Sequence, residues 1–386
     1  MSNFQYHSVI PENNKSSFSE YDNIDFVMTF ENRAMNLNSL RIEGDLSVTQ
    51  DDKALSDTTN FFKDIKLDHL VGAHSLCESV QTSFFNGSNL IENLSEYPRY
   101  CKMKNACRKA RGDMNNGSNV CELLAPTDAM TNLVLKGVTP PANAKSTSGD
   151  IVAPLAPDFS FKPEICLNNA TSDGMPVLPY GKSGAIRLTI NLARVNAVLF
   201  GVDVDPSKTK YSVSNLQVTF SSVPESQEQM SNKVVMNTIQ SIKPSVESGF
   251  ANIGVKVPAI CNACSISFQK QNEENTPTNN NLQLQKIPNL QEVQYLFNDS
   301  TNSLVSYLLR DYEEVVNRGI ESMFSTGRNS LGMQTLAEND GFVAGLYFDD
   351  FIDLRNQKFN FQVNSGISGG SSSMLAYLYF HSIISI

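Results

Sequence analysis

The chain has 386 residues, with 30 basic and 40 acidic side chains giving a formal net charge of −10. That balance excludes a protein that coats nucleic acid over a broad surface, because such binding is mostly Lys and Arg neutralising phosphate. Charged residues make up only 18% of the chain, Trp is absent, and 22 Phe and 12 Tyr carry the aromatic load, a β-protein profile rather than that of a coiled coil or a disordered chain.

Met1–Asn14 is polar and lacks a basic region followed by an apolar run, so no secretory signal is expected. No stretch approaches the ~20 apolar residues of a membrane span. Residues 1–22 read as a flexible N-terminal arm. From Leu40 to Val48 apolar and polar residues alternate with period two, as in a half-buried antiparallel strand. Leu76 to Phe85 reads as a strand, Asn86-Gly87 as a tight hairpin turn and Leu90–Leu94 as the returning strand. Ser95 is placed to cap a helix with Glu96 and Pro98 in its first turn, on which Tyr97, Tyr100, Met103 and Cys107 share a face. Gly112–Asn119 and Val138–Asp158 read as loops.

The clearest strands are Ile186–Leu192 and Val213–Phe220, the latter closed by Pro224, followed by a polar linker. Short strands around Val255 and Ile266, an Asn/Gln/Pro-rich loop at Gln271–Pro288 and a strand at Leu290–Phe297 follow. A helix is predicted from Asp311, with Tyr312, Val315, Val316, Ile320, Met323 and Phe324 at helical spacing. Phe359, Phe361 and Val363 alternate with polar residues. After a Gly/Ser loop at Ser365–Ser373, Met374–Ile386 suits a strand buried on both faces. The two halves end alike, which points to a duplicated all-β domain of sandwich or jelly-roll type. The expected division is an arm at 1–22, a first jelly roll at 23–224, a linker at 225–233 and a second jelly roll at 234–386.

The search for chemistry yields no catalytic, cofactor or metal site that stands on its own. His7, His69, His74 and His381 occur in no metalloprotease pattern, and neither a nucleophile elbow nor a phosphate loop is present. Cys261-Asn262-Ala263-Cys264 has the spacing of a metal knuckle or redox pair, but the other five Cys lie in the first half without paired spacing, so buried free thiols are expected. Asp349, Asp350 and Asp353 are candidate calcium ligands without a recognisable loop. Arg111-Gly112-Asp113 is a candidate receptor tripeptide. Arg99, Lys102, Lys104, Arg108, Lys109 and Arg111 read as a solvated helix face, with contact to an anionic partner as the functional alternative.

The order of these features resembles the double jelly-roll major capsid proteins of tailless icosahedral double-stranded DNA viruses, the lineage of the adenovirus hexon, membrane-containing phages, virophages and Polinton-like elements. Asn23-Ile24-Asp25-Phe26 with Leu40–Val48 looks like the opening strands. Gly72–Gly87 is similar to the strand and turn before the first helix of such coats. Asp353–Phe361 and Leu375–His381 resemble the closing strands. The resemblance implies two tandem eight-stranded jelly rolls with inserted short helices, three chains per pseudo-hexagonal capsomer, a place in the virion and no enzymatic role. Production would be in host cytoplasm or nucleus. Implied partners are further copies, minor capsid or penton proteins and, through the arm or basic helix, an internal membrane. The other readings are a minor capsid, penton or spike protein and a jelly-roll glycan-binding protein or glycosidase, the last resting on Asp349 and Asp353 meeting in a cleft.

Overall fold

The computed structural model describes residues 4–57, 59–108, 120–136, 158–171, 176–246, 250–255, 257, 260–274, 276–297, 306–324, 336, 341–355, 359–365 and 373–386. The Gly112–Asn119 loop, most of Val138–Asp158, Arg111-Gly112-Asp113 and most of the Gly/Ser loop therefore lie outside the described residues.

Three sheets, antiparallel but for one pairing, account for the strands among the described residues, and their membership divides the chain. One sheet uses only strands from residues 5–224, with Thr209–Pro224 running between Arg41–Gln50 on one side and Gln5–Val9 on the other. Another uses only later residues, in the order Phe250–Val255, Phe359–Asn364, Glu292–Phe297, Ser306–Leu309. The third carries strands from both halves. Its order is Ala344–Asp353, Ile260–Lys270, Met374–Ser385, Val235–Ile242, then Asn89–Ser95, Cys77–Phe84, Ile186–Leu192, Asn23–Met28. The halves meet there in one parallel pairing, Gln240 opposite Asn93. Each half thus closes a jelly roll from its own sheet and its share of the common one, and the fold is a double jelly roll.

Period-two patterning explains which faces close. In Ile186–Leu192 the residues Ile186, Leu188, Ile190 and Leu192 are buried while Arg187, Thr189 and Asn191 are half-buried on the other face. Met374–Phe380 is buried at every position because its strand is central, flanked by Val235–Ile242 and Ile260–Lys270 and covered on both faces. Aromatic contacts fill the second roll: Tyr295 and Phe361 have ring centroids 5.3 Å apart, and Phe359 meets Phe380 edge-on at 5.3 Å. Buried apolar residues of both rolls form one continuous cluster. Each fully buried Leu or Phe in it contributes about 1.5–3 kcal/mol.

Four local readings differ from the structure. The Asn86-Gly87 turn is longer than two residues: Phe85, Asn86 and Gly87 all have positive φ, and Phe84 pairs with Asn89. The backbone N–H groups of Phe85 and Asn86 donate to Ser183 and Ala185 carbonyls, which draws the turn onto a neighbouring segment. Ser95 does not cap the helix, because its N–H and hydroxyl are taken by Ser241 Oγ at 3.0 and 2.7 Å. The linker contains a short helix, Gln227–Ser231, with Ser226 and Gln229 forming a capping box. The segment read as a free arm is tied to the body. Gln5–Val9 pairs with Val218–Ser222, and His7 stacks on Phe220 with ring centroids 4.7 Å apart.

Candidate assembly site: the seam between the rolls

The helix Tyr97–Arg108 follows Asn89–Ser95, the strand of the first roll that borders the second in the common sheet, and packs where the rolls meet. Pro98 suits its first turn, where an N–H has no intrahelical partner. Tyr97, Tyr100, Met103 and Cys107 are buried, as their spacing predicts. The basic residues depart from expectation. Arg99 and Lys102 are 2% and 5% exposed, so the solvated-face reading fails for both.

Arg99 reaches across to the second roll. Its guanidinium donates to the Gln283 carbonyl at 2.9 Å, to the Asn281 carbonyl and to Gln269 Oε1, and it stacks over the Tyr377 ring at 3.9 Å. Lys102 Nζ bonds Asp68 Oδ2 at 2.6 Å, and Asn280 of the second roll donates to the same oxygen at 2.7 Å. Lys104 pairs with Glu164. Lys243 answers from the opposite side, bonding Glu96 at 3.0 Å and also Glu274. These neighbours raise its pKa, although burial alone would lower it. Tyr379 donates to the Glu96 carbonyl at 2.9 Å. A charged group that is buried, hydrogen-bonded and matched in shape fixes a docking geometry even where its net stabilisation is small. Arg99 and Lys102 therefore form an internal clamp, while Arg108 is exposed and Lys109 and Arg111 lie outside the described residues.

A second buried polar bridge lies at the parallel pairing. Glu92, 2% exposed, accepts from the Cys166 N–H at 2.8 Å and from the Ile239 N–H of the second roll at 2.9 Å. Burial pushes its pKa up to about 7, with the two N–H donors opposing. A carboxyl whose folded pKa is raised binds its proton more tightly when folded. Its contribution is complete below the unfolded value near 4.5 and is lost as pH rises through about 7. The loss is about 3 kcal/mol. In Glu92→Gln, stability relative to the parent should therefore rise by about that amount between pH 4.5 and pH 8. Urea melts at several pH values measure this, and an unchanged difference would show that the carboxyl titrates normally.

The remaining candidates are dispersed. Cys261 and Cys264 lie on the strand Ile260–Lys270, paired on both sides, with a bulge between Cys261 and Ala263. A metal knuckle needs a turn to converge two sulfurs, and here they sit within a strand. Burial pushes Cys261 up to about 12 and raises Cys264 well above its ordinary value. Among the described residues no group of three His, Cys, Asp or Glu side chains is placed to hold a metal ion. Asp353 is engaged by Arg355 at 2.6 Å, while Asp349 and Asp350 lie in the strand Ala344–Asp353. His69 is bonded to Asp128 at 2.7 Å. His381 shares a 2.8 Å bond with Ser265 Oγ, and burial lowers it to about 3, so it is neutral.

Sequence reasoning missed one arrangement of reactive residue types. Cys101 Sγ is 3.6 Å from His74 Nδ1, which also meets Tyr97 Oη at 2.7 Å, and His74 Nε2 is 3.9 Å from Glu122. Cys101 and His74 are 1% and 3% exposed, and burial raises the thiol pKa well above its usual value. An attacking cysteine needs a lowered pKa and access, so this set packs and satisfies the core. Cys101 lies on the clamp helix and His74 on the preceding 3-10 turn, residues 27 apart in sequence, which is why no short motif announced them.

No protein-family model and no curated protein matches the sequence. Solved structures do. The Faustovirus major capsid protein superposes with a TM-score of 0.59 at 8% identity, covering 100% of this chain and 90% of its own. A chain of the PBCV-1 virus capsid gives 0.59 at 10% identity, covering 100% and 95%. The PBCV-1 protein fitted into a reconstruction of the virophage Sputnik gives 0.58 at 9%, covering 100% and 95%. At such identities the likeness establishes the fold: the whole chain, from the paired first strand to the last, has the double jelly-roll architecture of these structures.

Proposed function

We propose that this chain is the major capsid protein of an icosahedral virus. In this reading the rolls, at 23–224 with the paired strand Gln5–Val9 added to its sheet and at 234–386, with 225–233 between them, stand side by side and normal to the shell. Three chains make a pseudo-hexagonal capsomer, since a duplicated upright barrel presents six similar lateral faces per trimer. The observation that carries the reading is the whole-chain likeness: nearly the full length of each compared capsid chain is matched, with no part of this chain left over. The seam supports it, because a shell subunit that bears lateral load needs rolls that do not swing apart. A neutral-polar surface, with charged residues at 18%, suits lateral contacts made by shape and hydrogen bonding.

The role is structural rather than catalytic, and the chain resides in the virion after synthesis in host cytoplasm or nucleus. Its partners are further copies and minor capsid or penton proteins at the lattice edges. The clamp chemistry of Arg99 and Lys102 withdraws those two cations from any contact with an internal membrane. The pairing of Gln5–Val9 turns the first strand from a membrane tether into a part of the wall. Native mass spectrometry of the purified chain should give three times 42.6 kDa. A monomer that stays monomeric at high concentration would contradict the proposal.

A further inference from the structure

The strand Gln5–Val9 is paired on one side only. Its register with Thr209–Pro224 runs without a shift from Gln5 opposite Ser222 to Val9 opposite Val218, and no other strand pairs with it among the described residues. Natural edges are blunted by charge, proline or bulges. This one has none of these: Phe4-Gln5-Tyr6-His7-Ser8-Val9-Ile10 contains no Lys, Arg, Asp, Glu or Pro. Its inner face is anchored, with His7 stacked on Phe220 and bonded to Ser222 Oγ at 2.7 Å. Its outer face is apolar and open, with Phe4 46%, Tyr6 85% and Ile10 74% exposed. A strand held flat on one side, with an unguarded edge and an apolar outer face, is organised for strand addition.

We propose that this edge receives the same strand from a second copy of the chain, antiparallel across a local two-fold axis. Two features select a copy of itself. The strand is uncharged, so a duplicate brings no like-charge repulsion across the ladder. Its pattern is also self-complementary. With His7 opposite His7 of the copy, Tyr6 faces Ser8 and Phe4 faces Ile10, and the exposed Phe4, Tyr6 and Ile10 of both strands share one face. Ile10 lines a shallow cleft of about 410 Å³ with Pro11, Phe18 and Leu216 on its apolar side and Lys15 and Asn215 on its polar side, so the copy's Phe4 ring comes to the mouth of a mixed recess beside those apolar residues. An isologous contact closes on itself and does not propagate as a fibre. The inference rests on the coat reading and assigns this edge to a dyad contact between neighbouring capsomers.

The test uses the full chain with exposed Cys121 replaced by Ser. Tyr6→Cys and Ser8→Cys are prepared separately, then mixed and oxidised. An inter-chain disulfide is expected in the mixture and in neither variant alone. Tyr6→Lys should weaken association beyond the capsomer at least tenfold in sedimentation velocity while leaving the thermal melt unchanged. Absence of the mixed disulfide, self-crosslinking of either variant, or unweakened association of Tyr6→Lys overturns the inference. Trimers that form without the mixed disulfide leave the coat reading standing, whereas a crosslinked pair of chains that never trimerise defeats that reading and keeps the edge contact.

Discussion

Arg99→Ala should destabilise the chain by about 3–5 kcal/mol and uncouple the rolls, so that one cooperative unfolding transition becomes two. The substitution removes the Arg99 donor from the carbonyls of Asn281 and Gln283 and from the amide oxygen of Gln269, which keeps the Tyr377 hydroxyl at 3.3 Å, in a site where Arg99 is 2% exposed. Each lost bond to a charged donor is worth about 1.5–3 kcal/mol, and the losses overlap because one side chain makes them all. The stacking over Tyr377 goes with them. Arg99→Lys should recover less than half of the loss, since an ammonium cannot present a planar fork to three acceptors and an aromatic face together. Differential scanning calorimetry checks both statements. A single transition with an unchanged midpoint in Arg99→Ala would mean that the clamp contributes nothing.

Lys102→Met should cost about the same, roughly 3–5 kcal/mol, for a different reason. Asp68 is 1% exposed, and its Oδ2 accepts from Lys102 and Asn280. Removing the ammonium leaves a carboxylate buried with only neutral donors, Asn280 and the Leu70 N–H. The double variant Lys102→Met/Asp68→Asn should therefore be more stable than Lys102→Met alone, by about 2 kcal/mol or more. A double-mutant cycle by urea denaturation measures the coupling. Additive losses from the two changes would show that the pair is not electrostatically linked.

The strands were legible wherever one face is buried, because Ile186–Leu192 and Arg41–Gln50 alternate in sequence as they do in space. The terminal strand announced itself differently, by an unbroken apolar run that only a central strand tolerates. The seam was not legible. Arg99 finds its partners 170 to 184 positions away, and a cation on a helix looks the same in sequence whether it faces water or another domain. The single pairing of Asn93 with Gln240 has no local signal at all. The arm was misread because its alternation covers only five residues beside Pro and Asn, and its inner positions are His7 and Val9 rather than large aliphatics.

A cryo-electron-microscopy reconstruction of the assembled full chain would reveal whether two locked rolls form the unit of a trimeric coat. A three-fold particle is expected, with six upright barrels around its rim and continuous density through the seam at Arg99 and Glu92. A particle with one roll per chain in the ring, or with rolls in variable relative orientation, would contradict it.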